Sequence, residues 1–304
     1  YTSSRAYPRG LEFSNDWQKC CETLIKDIPK EIRNNLHAIS VDGTSGTLVA
    51  CNKGGRPLGE ALPYHLHCPE QQSPLKTLLG RESPSAISSS SLARALRLVA
   101  KYGPEILLRH QADWINGWFL GHWIWGEESN NLRLGWNLEK KTWPNSFSNL
   151  PWKSALPKIV SSGKTLGCLS ASQAKKLDLP SDLVVIAGTT DSNAAVLTAN
   201  ANADDGVTVL GSTLVVKRFV SKPILSKGVT NHLVGGRWLC GGASNAGGAV
   251  LRKFFSEKEL TELSRQIDPE LTSGLSLRPI AFSGERFPVD DPTLKPILGP
   301  RPVS

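Results

Sequence analysis

Asp191 sits where chemistry can be done. It closes the run Leu183-Val-Val-Ile-Ala-Gly-Thr-Thr-Asp191. The apolar part, Leu183 to Ala187, predicts a strand buried on both faces. The polar tip Thr189-Thr190-Asp191 follows at its carboxyl end, and Ser192 is the expected N-cap of an Ala-rich helix. In α/β proteins ligands gather at such strand-to-helix turns, because free backbone N–H groups and side chains converge there. A carboxylate in that position is a candidate general base.

Three other segments have residue types suited to holding a polar or anionic ligand. Asp42-Gly43-Thr44-Ser45-Gly46-Thr47 combines glycines with hydroxyls, so its backbone can approach a ligand and hydrogen-bond it. It equally suits a plain turn with Asp42 as an Asx cap. Gly211-Ser212-Thr213 lies between the predicted strands Val207–Leu210 and Leu214–Val216, offering amides and hydroxyls, or simply a tight turn. Gly241-Gly242-Ala243-Ser244-Asn245-Ala246-Gly247-Gly248 is the most glycine-dense point and predicts a loop feeding a helix over Ala249–Phe255, an anion cradle. It matches neither GxxxxGK[ST] nor a clean GxGxxG. Metal-ligand spacing is absent: the cysteines at 20, 21, 51, 68, 168 and 240 form no CxxC pair, and no HExxH occurs. No metal ligand is therefore assigned, and a reducing compartment is the default.

These segments need elements to carry them. Trp17, Cys21, Leu24 and Ile25 predict a first helix after Ser14-Asn15-Asp16, ending at Pro29. His37–Val41 and Leu48–Cys51 predict strands around the Asp42–Thr47 segment, and Asn52-Lys53-Gly54-Gly55 a hairpin turn. Residues 74 to 91, rich in Ser and Pro, predict a loop. Leu92–Tyr102 predicts a basic amphipathic helix with a solvated cationic face, closed by Gly103. Trp114, Trp118 and Trp125 form an aromatic stripe expected in a core. Further on, Asn130–Trp136 predicts a turn and short strand, Trp152–Ile159 and Ser170–Leu177 short helices, and His232–Leu239 a hairpin through Gly235-Gly236.

With 304 residues and a 39% apolar fraction, the chain can fill one large or two ordinary cores. The longest apolar runs are far too short to span a membrane. The charge of +8 is spread out, with no basic run longer than a pair. Such an excess suits a solvated basic surface or a small anionic substrate, not a nucleic acid, which calls for clustering. No methionine is present, and no targeting segment is visible at Tyr1, as expected of a processed chain or an internal portion.

Taken in order, Val41–Thr47, Gln111-Ala112-Asp113-Trp114, Gly188–Ser192, Leu210–Thr213, Gly241–Asn245 and Ser283-Gly284-Glu285-Arg286-Phe287-Pro288 resemble the FGGY carbohydrate kinase family. The nearest group is the plant and cyanobacterial xylulose-kinase-like proteins that are similar to D-ribulose kinases. The resemblance implies an α/β fold of two actin-like ATPase (ribonuclease-H-like) domains with a cleft between them, a sugar-binding domain over 1–199 and a nucleotide-binding domain over 200–304. It implies an ATP-dependent phosphotransferase acting on a primary hydroxyl of a ketopentose, most closely D-ribulose, with D-xylulose kinase and a non-catalytic sugar-binding relative as alternatives. By resemblance, Asp191 is the catalytic base, also touching sugar; Thr44 and Ser45 contact sugar; and Gly211, Ser212, Thr213, Gly242 and Asn245 approach the phosphates of ATP. ATP and Mg2+ are the implied cofactors, a small sugar and MgATP the partners, with no nucleic acid or membrane. A chloroplast location is implied, with cytoplasm as the alternative. The family's opening Asp-x-Gly-Thr loop and closing Gly-Gly-Gly segment are missing from these residues, so the start and end of the fold are expected to be missing, and this portion alone is expected to turn over poorly.

Overall fold

The computed structural model describes residues 1–80, 83, 85–202 and 204–299; the last residues of the Pro-rich run predicted up to Ser304 lie outside them. The chain forms two compact units, one of Tyr1–Ala194 with Leu233–Gly236, the other of Ala195–His232 with Arg237–Ser304.

The first unit contains α1 (Ser14–Asp27), α2 (Lys30–Arg33), β1 (Ala38–Gly43), β2 (Leu48–Cys51), α3 (Gln72–Leu79), α4 (Ser91–Tyr102), β3 (Leu107–His110), α5 (Gln111–Leu120), β4 (Trp125–Glu127), α6 (Glu128–Asn131), β5 (Lys158–Val160), β6 (Thr165–Cys168), α7 (Ala171–Leu177) and β7 (Val184–Thr190), together with the start of α8 (Asp191–Thr198). Its central sheet has the order β1-β7-β6. β1 runs parallel to β7, from Ala38 opposite Val184 to Gly43 opposite Thr190, with a bulge between Val41 and Gly43. β6 pairs antiparallel on the other side of β7. β2 and β3 form a separate antiparallel ladder, Leu48 opposite His110 and Cys51 opposite Leu107.

Two apolar clusters hold this unit. The first gathers Trp17, Trp114, Trp118, Phe119, Leu183 and Val185 where α1, α5 and α7 meet β7. α5 is buried along its whole length because its sequence is apolar nearly all round. Each large side chain removed from water there contributes about 1.5–3 kcal/mol. The second gathers Leu48, Leu92, Leu98, Leu108, Phe147 and Trp152 around α4 and the β2–β3 ladder.

The second unit has one antiparallel sheet, β10-β11-β9-β8, built from β8 (Gly206–Leu210), β9 (Leu214–Val220), β10 (Val229–Val234) and β11 (Arg237–Ser244). α9 (Gly248–Leu251) and α10 (Glu257–Ser264) follow it. α10 starts with a complete Ser256–Glu259 capping box although none of its residues is buried.

Several local expectations change. β7 runs on to Thr190 and is fully buried on one face only, with Val184, Ile186 and Gly188 half-buried. The cap of α8 is Thr190, whose Oγ1 accepts from the Asn193 N–H at 3.4 Å; Ser192 is already helical. The Ser/Pro-rich stretch contains α3, anchored by buried Leu75. Residues 130 to 136 continue a short helix rather than a strand, and 152–159 holds only a single 3-10 turn followed by β5. Trp125 lies in β4, off the α5 stripe. Gly241–Ser244 belongs to β11, so the glycine-rich loop shrinks to Asn245–Gly247. The Asn52–Gly55 turn leads to isolated bridges at Pro57 and Leu62, while the regular partner of β2 is β3.

The largest reversal concerns Arg94. Expected on a solvated face of α4, it is 1% exposed. Its guanidinium donates to the carbonyls of Gly46 (2.9 Å), Tyr64 (3.1 Å) and Leu66 (2.8 Å). Periodicity assigns a charged residue to water, but a guanidinium carries enough donors in a fixed fork to satisfy several buried carbonyls at once.

Candidate functional site

In the first unit the site is set by the parallel β1–β7 pair. Gly43 is opposite Thr190, so Thr44 and Asp191 each follow directly after the carboxyl end of one of these paired strands. The structure therefore brings together the Asp42–Thr47 segment and the Thr189–Asp191 tip, which lie far apart in sequence. Asp42 ties them directly: its Oδ1 accepts the backbone N–H of Thr189 at 2.7 Å. The approach is so close that a Cβ on Gly188 would overlap the Val41 carbonyl oxygen and lie 2.6 Å from Asp42 Oδ1, so only glycine fits.

The tip is then locked from behind. Thr189 Oγ1 accepts from Asn193 Nδ2 at 3.2 Å, and Thr190 caps α8. Thr189, Thr190 and Asn193 are all buried, whereas Asp191 and Ser192 are exposed. Asp191 Oδ1 accepts the Ser192 N–H at 2.7 Å. The result is an accessible carboxylate on a rigid base. On the facing segment, Thr44 and Ser45 are half-buried. The Thr44 N–H donates to Gln111 Oε1 at 2.8 Å, and Gly46 is held by Arg94. Both hydroxyl side chains thus sit on a backbone fixed from the start of α5 and from α4.

A second polar group, not foreseen among the site residues, lies buried where α5 meets β4 and α6. Asp113 accepts from the Glu127 N–H (2.9 Å) and from Asn131 Nδ2 (2.9 Å). Glu127 accepts from the Asn130 N–H at 2.8 Å and from Asn130 Nδ2 at 3.0 Å. Burial raises the Glu127 carboxyl to about 8, outweighing those hydrogen bonds. Glu128, 1% exposed, is paired with Lys141. Several polar atoms here, including Glu127 Oε1, Asn131 Oδ1 and both His110 ring nitrogens, have no hydrogen-bond partner among the described residues, although His110 Nδ1 lies 3.7 Å from Asp113 Oδ2. The signal was present in Gln111-Ala112-Asp113-Trp114 and in Glu127-Glu128-Ser129-Asn130-Asn131, polar residues packed into an otherwise apolar region.

In the second unit, Gly211-Ser212-Thr213 forms the β8–β9 turn. Its carbonyls are already engaged: Gly211 O accepts from the Gly248 N–H at 2.8 Å and Ser212 O from the Ala249 N–H at 3.2 Å. The amides opening α9 therefore brace the turn instead of forming a free cradle. What the turn leaves accessible is the exposed backbone of Gly211 and Ser212 with the hydroxyls of Ser212 and Thr213. Arg252 Nη1 reaches Ser212 Oγ at 3.4 Å, bringing a cation to the same point.

Asn245 is adjacent to this turn, since Leu214 N donates to Ala246 O at 2.6 Å. Its donors are committed elsewhere: its N–H to Glu285 Oε1 (2.8 Å) and Nδ2 to the Gly284 carbonyl (2.9 Å). Ser244 Oγ donates to Glu285 Oε2 at 2.6 Å, and Arg286 Nε to the Ala243 carbonyl at 2.7 Å. The Ser283–Pro288 segment is thus buckled onto the end of β11. Burial pushes the Glu285 carboxyl up, but the Ser244 hydroxyl and surrounding amides outweigh it and hold the carboxyl below its ordinary value. Gly242 lies within β11, opposite Val216, with the Phe287 ring over it. The structure does not group it with the turn.

Among the described residues no three His, Cys, Asp or Glu side chains converge on a metal site, and no helix is long and apolar enough to cross a membrane.

No known protein family's sequence profile matches the chain. Solved structures do. A xylulose kinase from Lactobacillus acidophilus superposes with a TM-score of 0.76 at 16% identity, over 96% of this chain and 66% of that one. A gluconate kinase from the same organism gives 0.76 at 17% identity, over 99% and 66%. Plasmodium falciparum glycerol kinase, solved with ADP, gives 0.70 at 13% identity, over 94% and 64%. The chain spans about two thirds of the length of these structures, and its mixed α/β fold is the one seen in these sugar kinases.

Proposed function

We propose that this chain is the greater part of an ATP-dependent carbohydrate kinase that phosphorylates a primary hydroxyl of a ketopentose, with D-ribulose as substrate. The observation that carries the reading is the β1–β7 register, which sets Gly43 opposite Thr190, just before Thr44 and Asp191, at the carboxyl ends of two parallel strands. Phosphoryl transfer asks the protein for positioning, a base and phosphate donors. Asp191 is the base: its carboxylate takes the hydroxyl proton as the sugar oxygen bonds to the γ-phosphorus, and the bond from that phosphorus to the β,γ-bridging oxygen breaks, releasing ADP. Thr44 and Ser45 hydrogen-bond the sugar hydroxyls. The exposed Gly211-Ser212-Thr213 turn faces the phosphates of MgATP, with Asn245 holding its neighbour segment in place, and Gly242 admits Phe287 over β11.

D-Xylulose is the second reading, favoured by the xylulose kinase among the structural matches. The two ketoses differ at one stereocentre, a matter of one or two hydrogen bonds. The test is ADP release by protein expressed from the complete reading frame, with MgATP and a panel of ketopentoses ranked by kcat/KM. Highest kcat/KM for D-ribulose is the expected outcome; preference for D-xylulose moves the assignment to the second reading, and no ADP with any sugar leaves a sugar-binding protein. Asp191→Ala is expected to lower kcat by about 10²-fold or more with the fold intact by circular dichroism. Unchanged kcat would remove Asp191 from its role.

A further inference from the structure

The Asp42–Thr47 segment borders the Leu48–His110 end of the β2–β3 ladder. Towards the other end, where Cys51 faces Leu107, a cavity of about 290 Å³ opens in the first unit. Lys53, Arg109, His122 and Lys158 line it, with Trp123 beside them and no aspartate or glutamate in the lining.

The cavity is built, not incidental. Arg109 is 2% exposed, and its Nε donates to the Trp123 carbonyl (2.7 Å) while Nη1 donates to those of Leu108 (2.6 Å) and Ala155 (2.8 Å). One guanidinium therefore ties down both the loop carrying His122 and the segment leading to Lys158. Those carbonyls satisfy its donors but do not neutralise its charge, and no carboxylate is within ion-pair distance among the described residues. Burial lowers the guanidinium to about 10, opposed by Cys51 and Asp113, so it stays cationic at neutral pH. A buried charge without a counter-ion is costly. His122 Nδ1 is also buried without a hydrogen-bond partner among the described residues. The Lys53 turn is preformed: Asn52 Oδ1 accepts from the N–H groups of Gly54 and Arg56 (3.0 Å each), and the Gly55 carbonyl accepts from Trp114 Nε1 at 2.9 Å. Glu105 lies 3.1 Å from Lys53, with both side chains largely exposed.

We propose that this cavity binds the phosphate group of a small phosphate monoester: Arg109 supplies the buried charge, and Lys53 and Lys158 the exposed ones. A monocarboxylate would neutralise one of these charges, whereas a phosphate monoester carries nearly two at neutral pH. The volume is at the small end for metabolite pockets, which suits a small monoester. The lack of acidic lining residues also argues against a Mg2+-bound triphosphate. This inference does not rest on the kinase reading.

The experiment is isothermal titration calorimetry of the 304-residue chain with glycerol 3-phosphate, inorganic phosphate and citrate, at low and moderate salt. Saturable binding of glycerol 3-phosphate is expected, weakening with salt. The Lys53→Ala/Lys158→Ala double variant changes only exposed lysines, and its affinity is expected to fall about tenfold or more. Lys258→Ala, on α10 of the other unit, should bind as the wild type does. Binding of inorganic phosphate alone, equal binding by the Lys53/Lys158 double variant, loss in Lys258→Ala, a preference for citrate or no saturable heat would each overturn the proposal.

Discussion

Asp42 shows how one side chain can matter through what it holds in place. Its Oδ1 holds the buried Thr189 N–H, two residues before Asp191. Asp42→Ala leaves that N–H unpaired in the interior, which costs about 1–3 kcal/mol and loosens the tip. In the kinase assay its kcat is expected to fall about tenfold with little change in the KM for ATP, while Asp42→Asn, which keeps an acceptor oxygen, retains most activity. Equal loss in both variants would mean that the carboxylate charge matters, not the hydrogen bond. Arg94 tests the scaffold instead. Arg94→Met strands the carbonyls of Gly46, Tyr64 and Leu66 and is expected to destabilise the first unit by about 3 kcal/mol or more, read by urea denaturation.

At the scale of elements, the β1–β7 pair is the part most exposed to small changes. Gly188→Ala forces a methyl against the Val41 carbonyl. The strands must separate or the tip must shift, at about 1–3 kcal/mol, and chemical denaturation should show a lower midpoint. A midpoint equal to wild type would mean that the bulge absorbs the methyl. Gly163 makes the contrast, since a Cβ there meets nothing within 4 Å and only its φ of +80° resists substitution. This pair also marks what the sequence could tell. The run ending at Asp191 and the Asp42–Thr47 segment each pointed to a strand with a polar end. Nothing local states that β1 lies parallel to β7 with Gly43 opposite Thr190, because register is fixed by packing across the sheet. The same limit explains Arg94 and the α9 amides. Hydropathy and glycine spacing locate a cationic face or a loop before a helix, but which carbonyl a donor reaches is decided by chain segments tens of residues away. Ser192 misled for a simpler reason: Thr190 and Ser192 are both competent caps, and the sheet carries β7 three residues further than its apolar run.

For the first unit as a whole, the buried Glu127 ties stability to pH. Unfolded, it titrates near the ordinary value of about 4.3; folded, near 8. Below both values it is protonated in both states and costs nothing. As pH rises between them, the unfolded chain gives up its proton and the folded one does not, so stability falls by up to ~1.4 kcal/mol per unit, levelling off above about 8. Glu127→Gln keeps an acceptor for Asn130 and cannot ionise. Its urea midpoint, followed by the fluorescence of Trp17, Trp114 and Trp118, should lose that decline and exceed wild type at pH 8; a matching decline in the variant would place the source elsewhere. The parallel pairing of β1 with β7 bears on time as well as energy. A bond such as Asp42–Thr189 spans 147 positions, and closing so long a loop is slow and is rewarded only once the partner strand exists. During synthesis β1 leaves the ribosome long before β7, at roughly 5–20 residues per second. β1 must therefore wait without its sheet partner, and the carboxylate tip can be in place only after nearly all of the first unit has been made.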